Sequence, residues 1–254
     1  VFVDDEISTG KTLTNMIKQL RQQYPQLKSK EIVAASLLNR VYEEDERILN
    51  AAGIVCEHLI KLPQTDYSSV VKDISIYEAP TAVSAKIETS YQALFCENFD
   101  NPRKGVQINR YKHNCEEISE AFLAQFVCKI KKGSSILVLG TEECMYPALK
   151  LGAALEDMGQ NYRVRCHATT RSPIGICTGE NYPITSGYKL NSFYDKNRAT
   201  YIYNLSEYNV VIVVTDTSVK DFDALESLVG ALPNNKGFQL FYIQGGKNVW
   251  CMKQ

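Results

Sequence analysis

Short apolar runs alternate with stretches of helical spacing along this chain, and most of the runs stop at a carboxylate, a hydroxyl or a glycine. That rhythm restricts the fold more than any other feature, because strand–helix–strand repeats close through right-handed crossovers into parallel sheets. Val1–Val3 is a short apolar run that ends at Asp4. From about Thr12 to Gln23, the apolar positions Leu13, Met16, Ile17 and Leu20 recur at helical spacing. Ile32–Leu38 reads as a buried strand, Glu43–Ala52 as a helix stopped by Gly53, and Ile54–Leu59 as a further strand. Between Thr65 and Asn109 the pattern weakens, punctuated by Pro80, Pro102, Gly105 and the polar run Glu97–Lys104. A helix over Cys115–Lys131 follows, with Ile118, Phe122, Phe126 and Ile130 on its apolar face. Alternation then resumes: strand Ile136–Leu139, helix Tyr146–Met158 closed by Gly159, strands Tyr162–His167 and Tyr208–Thr215, helix Val219–Leu232 and strand Phe238–Ile243. The fold class is therefore α/β, with two units of mainly parallel sheet, residues 1–110 and 111–254.

Composition narrows the function classes. The 28 basic and 29 acidic residues give a formal charge of −1, so no basic excess points to nucleic acid or to an anionic membrane surface. The longest apolar runs, Ile136–Leu139 and Val210–Val214, are strand-sized and too short to span a bilayer. Eight cysteines are scattered without a Cys-x-x-Cys pair, and several sit in apolar runs, which favours reduced thiols and a cytoplasmic protein. His58, His113 and His167 lie far apart and show no metal-ligand spacing, so no metal held by the protein alone is expected. Small molecules are the expected partners.

The strongest local signal is Val3-Asp4-Asp5-Glu6-Ile7-Ser8-Thr9-Gly10-Lys11-Thr12. It reads as a buried strand that delivers two carboxylates at its carboxyl end, then a loop of hydroxyls and glycine, then a helix. Ligands of open α/β sheets bind at that edge. Ser8, Thr9, Gly10, Lys11 and Thr12 can offer hydroxyls, backbone N–H groups and a helix N-terminus to a phosphate. Gly10 permits close backbone approach. Asp4 and Asp5 suit a sugar diol or a divalent ion. The same string would also serve as a plain helix cap. It is not a Walker loop, whose step between two glycines is absent.

The second half repeats the logic at three strand ends. Ile136–Leu139 runs into Gly140-Thr141-Glu142-Glu143, Tyr162–His167 into Thr169-Thr170-Arg171-Ser172-Pro173, and Val210–Val214 into Thr215-Asp216-Thr217. If these strands are parallel neighbours, Glu142, Glu143, Thr169, Thr170, Arg171, Ser172 and Asp216 converge on one sheet edge and suit a ligand with phosphate and hydroxyl groups. Taken singly, each has a bland use as a cap or a surface ion pair. Cys144 is read as a packed thiol, and the tyrosines of Tyr188–Tyr208 as either a base-stacking surface or a loop over the sheet edge.

The first string resembles the signature of type I phosphoribosyltransferases, which bind phosphoribosyl pyrophosphate (PRPP): an apolar strand, two acids, then Thr-Gly-x-Thr. The resemblance implies that Asp4 and Asp5 hold the ribose 2- and 3-hydroxyls as the catalytic pair, that Ser8–Thr12 wraps the 5-phosphate, and that Mg²⁺ accompanies PRPP. Ser8 stands where purine-salvage members usually carry an Asp, which leans toward the orotate-type branch. In that family the pyrophosphate loop and the mobile catalytic loop lie upstream of this signature, so the expectation is the later part of a domain. Its open sheet edge would pair in a homodimer or leave a poorly ordered start.

Gly140-Thr141-Glu142-Glu143 with Tyr146-Pro147, Thr169-Thr170-Arg171-Ser172-Pro173 and Tyr201-Ile202-Tyr203-Asn204 resemble the TRSP domain, named for its Thr-Arg-Ser-Pro string. That domain follows a phosphoribosyltransferase domain in bacterial proteins of tellurite-resistance stress operons. The resemblance implies transfer of a base to PRPP, with the second domain binding or modifying the product and Arg103 and Gly105 in the approach to it. A non-catalytic sensor of PRPP or a nucleotide is the alternative.

Overall fold

The computed structural model describes residues 1–62, 65–66, 68–72, 74–94, 96, 100–218, 222–233 and 237–252. They fall into two compact units, Val1–Asp73 and Ile74–Gln254.

The first unit runs β1 (Phe2–Ile7), α1 (Lys11–Gln23), a 3-10 turn (Pro25–Ser29), β2 (Ile32–Asn39), α2 (Glu43–Ala51), β3 (Ile54–Lys61) and α3 (Ser68–Val71). The strands lie in the order β1-β2-β3, both pairs parallel. Ile7, Ile17, Ile32, Ala34, Leu49 and Ile54 form its core. Helix α1 stops where Pro25 turns the preceding Tyr24 away from helical geometry. Helix α2 opens on Glu43, Glu44, Asp45 and Glu46, which suit its positive end, and Arg21 Nη1 donates to the carbonyl of Ala52 (2.6 Å) at its other end. Gly53 follows with φ 69°, the left-handed cap expected of it.

The sequence reading of a buried first strand ending at Asp4 is corrected here. β1 continues to Ile7, and Asp4 sits opposite Ser36 in mid-strand. Among the described residues β1 pairs with β2 alone, and Val3 is 81% exposed.

The second unit contains β4 (Thr89–Ala93), α4 (Ile108–Phe126), β5 (Ser135–Gly140), α5 (Tyr146–Asp157), β6 (Arg163–Ala168), β7 (Gly187–Asn191), β8 (Ala199–Tyr203), β9 (Val210–Thr215), α6 (Phe222–Ala231), β10 (Gln239–Gln244) and β11 (Asn248–Met252). Six strands form one sheet in the order β4-β11-β10-β9-β5-β6, while β7 and β8 pair separately. The segment β10-β9-β5-β6 is parallel and β11 antiparallel to both its neighbours. Alternate residues of β5 enter opposite layers: Ile136 and Val138 pack with Phe122, Phe126 and Leu151, whereas Leu137 and Leu139 pack with Leu225 and Tyr242. Burial on both faces explains why β5 and β9 are unbroken apolar runs.

The division expected near residue 110 falls instead between residues 73 and 74. β4 pairs with β11, so Thr89–Ala93 belongs to the second sheet through a long-range contact that local periodicity cannot reveal. The helix expected from Cys115 begins at Ile108. Of the helix expected over Val219–Leu232, residues 219–221 lie outside the described residues; the part seen is Phe222–Ala231.

Candidate functional site

The loop between β1 and α1 borders a cavity of about 290 Å³, lined among others by Asp4, Glu6, Ser8, Thr9, Lys11 and Thr12. Of the acids of β1, Asp4 and Glu6 line the cavity together with Phe2, Val3 and Ile7, and Asp5 is not in its lining. Of the expected acid pair, only Asp4 borders the cavity; Glu6, which also borders it, was not singled out from the sequence. Asp4 Oδ1 accepts the N–H of Asp5 (3.0 Å) and Asp5 Oδ1 that of Glu6 (2.8 Å), which occupies one oxygen of each carboxylate. Lys11 and Thr12 are exposed, and the first turn of α1 carries no acid that would repel an anion. Gly10 caps the helix with φ 68°. A Cβ there would stand 2.8 and 2.9 Å from the two methyl carbons of buried Leu49. Packing of the loop on α2 therefore requires this glycine, whether or not a ligand approaches it.

In the second unit, the parallel neighbours β9, β5 and β6 bring their carboxyl ends together. Thr141–Cys144 forms a tight turn, closed by the Cys144 N–H on the Thr141 carbonyl (2.9 Å). Glu142 in that turn has φ 48°. The other described non-glycine residues with positive φ are Asn161, Asn181 and Asn204, a residue type that tolerates the conformation. The turn drives the Glu142 carboxylate inward, where Ser192 Oγ donates to Oε1 (2.5 Å) and Arg198 Nη2 to Oε2 (2.6 Å). The Glu142 N–H donates to Thr169 Oγ1 (2.9 Å). Asp216, at the end of β9, accepts from Arg103 Nη1 (2.6 Å) and Tyr194 Oη (2.5 Å). Tyr194 Oη also lies 2.8 Å from Thr141 Oγ1, and the Tyr194 ring carries the Arg103 guanidinium at 4.2 Å.

The predicted set is thereby sorted. Glu142, Thr169 and Asp216 join one buried network. Glu143, Thr170, Arg171 and Ser172 form an outer rim. Arg171 pairs with Glu143 on the surface (2.6 Å), and Thr170 Oγ1 accepts the Ser172 N–H (3.1 Å). Asp216 serves a side-chain network, held by Arg103 and Tyr194. Sequence reasoning did not single out Ser192, Tyr194 or Arg198. Tyr194 fell within the noted tyrosine-rich stretch, but nothing local marks it as a partner of Asp216. Burial, then Cys144 and Asp216 nearby, push the Tyr194 hydroxyl above its ordinary range, so it stays a donor. Burial disfavours the Arg103 charge, but Asp216 and Tyr194 beside it together outweigh this and leave the guanidinium more firmly protonated. Cys144 is raised well above an ordinary thiol, chiefly by burial, as befits a packed group.

The family comparison agrees with the order of these two units. The family model described as the TRSP domain C-terminal to PRTase_2 matches residues 100–232. The chain belongs to the TRSP family. Ahead of that domain, the model of a phosphoribosyl transferase, PRTase_2, matches residues 1–63, so a phosphoribosyltransferase-like unit precedes the TRSP domain. No curated protein and no solved structure matches the chain. The whole buried network, from Arg103 to Asp216, falls inside the TRSP match, and the β1–α1 loop inside the other. Among the described residues, no helix is long and apolar enough to cross a membrane.

Proposed function

We propose that this protein takes part in joining a nitrogenous base to the ribosyl 5-phosphate of PRPP, releasing pyrophosphate, and that its TRSP domain binds or modifies the product. The observation that carries the reading is the coincidence of the phosphoribosyl transferase match with an exposed hydroxyl- and amide-bearing loop on a cavity of about 290 Å³. Ser8, Thr9, Lys11 and Thr12 would hold the 5-phosphate, with Gly10 setting the loop's shape, and Asp4 would take a ribose hydroxyl from the cavity side. Asp5, which does not line the cavity, would make the lesser contribution to holding the sugar. Such a site acts mainly by orienting the sugar and stabilising charge as pyrophosphate departs.

The donor chemistry fits Mg²⁺ carried by its substrate. Among the described residues, no group of three or more His, Cys, Asp or Glu side chains stands ready to hold a metal. Mg²⁺ commonly binds through one or two carboxylates plus substrate phosphates, a role within the means of Asp4 and Glu6. When bound, it would neutralise charge on the pyrophosphate.

Incubation with Mg²⁺, PRPP and a panel of purine, pyrimidine and orotate-like bases tests the reading. Pyrophosphate release with any base supports transfer. Tight PRPP binding with no release under any base would make the protein a sensor instead. A homodimer through the β1 edge is part of the same proposal, and light scattering reads it directly.

A further inference from the structure

The buried carboxylates of the TRSP domain are already engaged. Glu142 accepts from Ser192 and Arg198, and Asp216 from Arg103 and Tyr194, at 2.5–2.6 Å. Both acids are almost fully enclosed, at 2% and 1% side-chain exposure, whereas each of the two arginines is 36% exposed. The groups that meet solvent here are cations, not acids. Each guanidinium gives a single Nη to its carboxylate. Since an arginine has five N–H donors in a fixed fork, each retains donors of defined direction. Arg198 Nε is buried with no hydrogen-bond partner among the described residues.

The two arginines are tied into one assembly. Ser192 Oγ bridges Glu142 and the Tyr194 N–H (3.1 Å), and Tyr194 Oη reaches Thr141 and Asp216. The Tyr194 ring supports Arg103 from below. The assembly hangs on the positive-φ turn at Glu142, a conformation unfavourable outside Gly and Asn and retained where the surroundings require it. It sits at the carboxyl ends of β9, β5 and β6, the usual ligand edge of such a sheet.

We propose that Arg103 and Arg198 form an anion-binding face of the TRSP domain, which takes a phosphate group of a phosphorylated small molecule. Glu142, Ser192, Asp216 and Tyr194 are positioning residues: they fix one edge of each guanidinium and leave the other free for a tetrahedral anion. Arginine suits this because its fork binds phosphate oxygens in pairs. The inference deepens the product-binding role given to the TRSP domain above, and its test separates the two sites.

The test is protection of arginines against phenylglyoxal in the wild-type chain, mapped by peptide mass spectrometry, with ribose 5-phosphate and inorganic phosphate as probes. Protection of Arg103 and Arg198, beyond that of exposed Arg47, is expected, and it should persist in a Lys11→Ala/Thr12→Ala variant of the other site. Protection by ribose 5-phosphate alone assigns the face to a sugar phosphate, and equal protection by both probes assigns it to the phosphate itself; either supports the site. Calorimetry of Arg198→Lys, which keeps the charge and loses the fork, is expected to show a loss of about tenfold in affinity. Lack of protection at both arginines, or protection that vanishes with the Lys11→Ala/Thr12→Ala change, overturns the proposal.

Discussion

Gly10→Ala probes the junction on which the first site is built. Two costs can be separated. An alanine at φ 68° costs about 1–2 kcal/mol in backbone terms. Its Cβ would also stand 2.8 and 2.9 Å from the methyl carbons of Leu49, which is 1% exposed and would have to shift. Overpacking of that kind costs a further ~1–3 kcal/mol. The expected total is about 2–5 kcal/mol. Leu49→Ala alone should cost ~2–5 kcal/mol as a cavity. Because the smaller residue makes room for the new methyl, the double variant should fall short of the sum by ~1–3 kcal/mol. Trp250, the single tryptophan, lies in the other unit and is blind to this change. Native-state hydrogen exchange of peptides from α1, β2 and α2 is therefore the assay. Additivity within about 0.5 kcal/mol would refute the steric argument, since it would mean that Leu49 does not confront position 10.

Other outcomes follow from the second unit. Arg171→Ala removes an exposed ion pair with Glu143 and should change stability by less than about 1 kcal/mol in denaturant melts. Tyr194→Phe deletes the donor to buried Asp216, for an expected loss of ~1–3 kcal/mol by the same measurement. Burial, partly offset by a hydrogen bond from Tyr111, pushes the enclosed Cys115 thiol from 9.0 up to about 12. It stays protonated in the folded chain while the unfolded chain ionises, so stability should fall as pH rises from 9.0 toward about 12. Cys115→Ala should flatten that alkaline slope. A thiol reagent should label exposed Cys128 early, and buried Cys144 and Cys115 only on unfolding.

The alternation of strands and helices was legible because β5 and β9 are buried on both faces and so appear as pure apolar runs. The ends of those two strands were legible for the same reason: Gly140-Thr141 and Thr215-Asp216 mark where the core stops. β4, β7, β8 and β11 were not, being short and largely defined by partners far away in sequence. The extent of β1 was misjudged because its apolar run stops at Val3, whereas pairing with β2, which no local pattern records, carries the strand through the acids to Ile7. In the TRSP domain the acids were found by their position at strand ends. Of their arginines, Arg198, between β7 and β8, was not found, and Arg103, before α4, was placed only in the approach to the domain; the fold alone brings them to Glu142 and Asp216.

The most direct test of the central claim is calorimetric titration of Mg²⁺–PRPP into the chain, beside Asp4→Asn, Asp5→Asn and Thr12→Ala variants. The account predicts binding by the wild type, marked weakening by Asp4→Asn and Thr12→Ala, and a smaller effect of Asp5→Asn, whose side chain does not line the cavity. Absence of wild-type binding, or equal affinity in all four proteins, would contradict it and leave the β1–α1 loop as a helix cap alone.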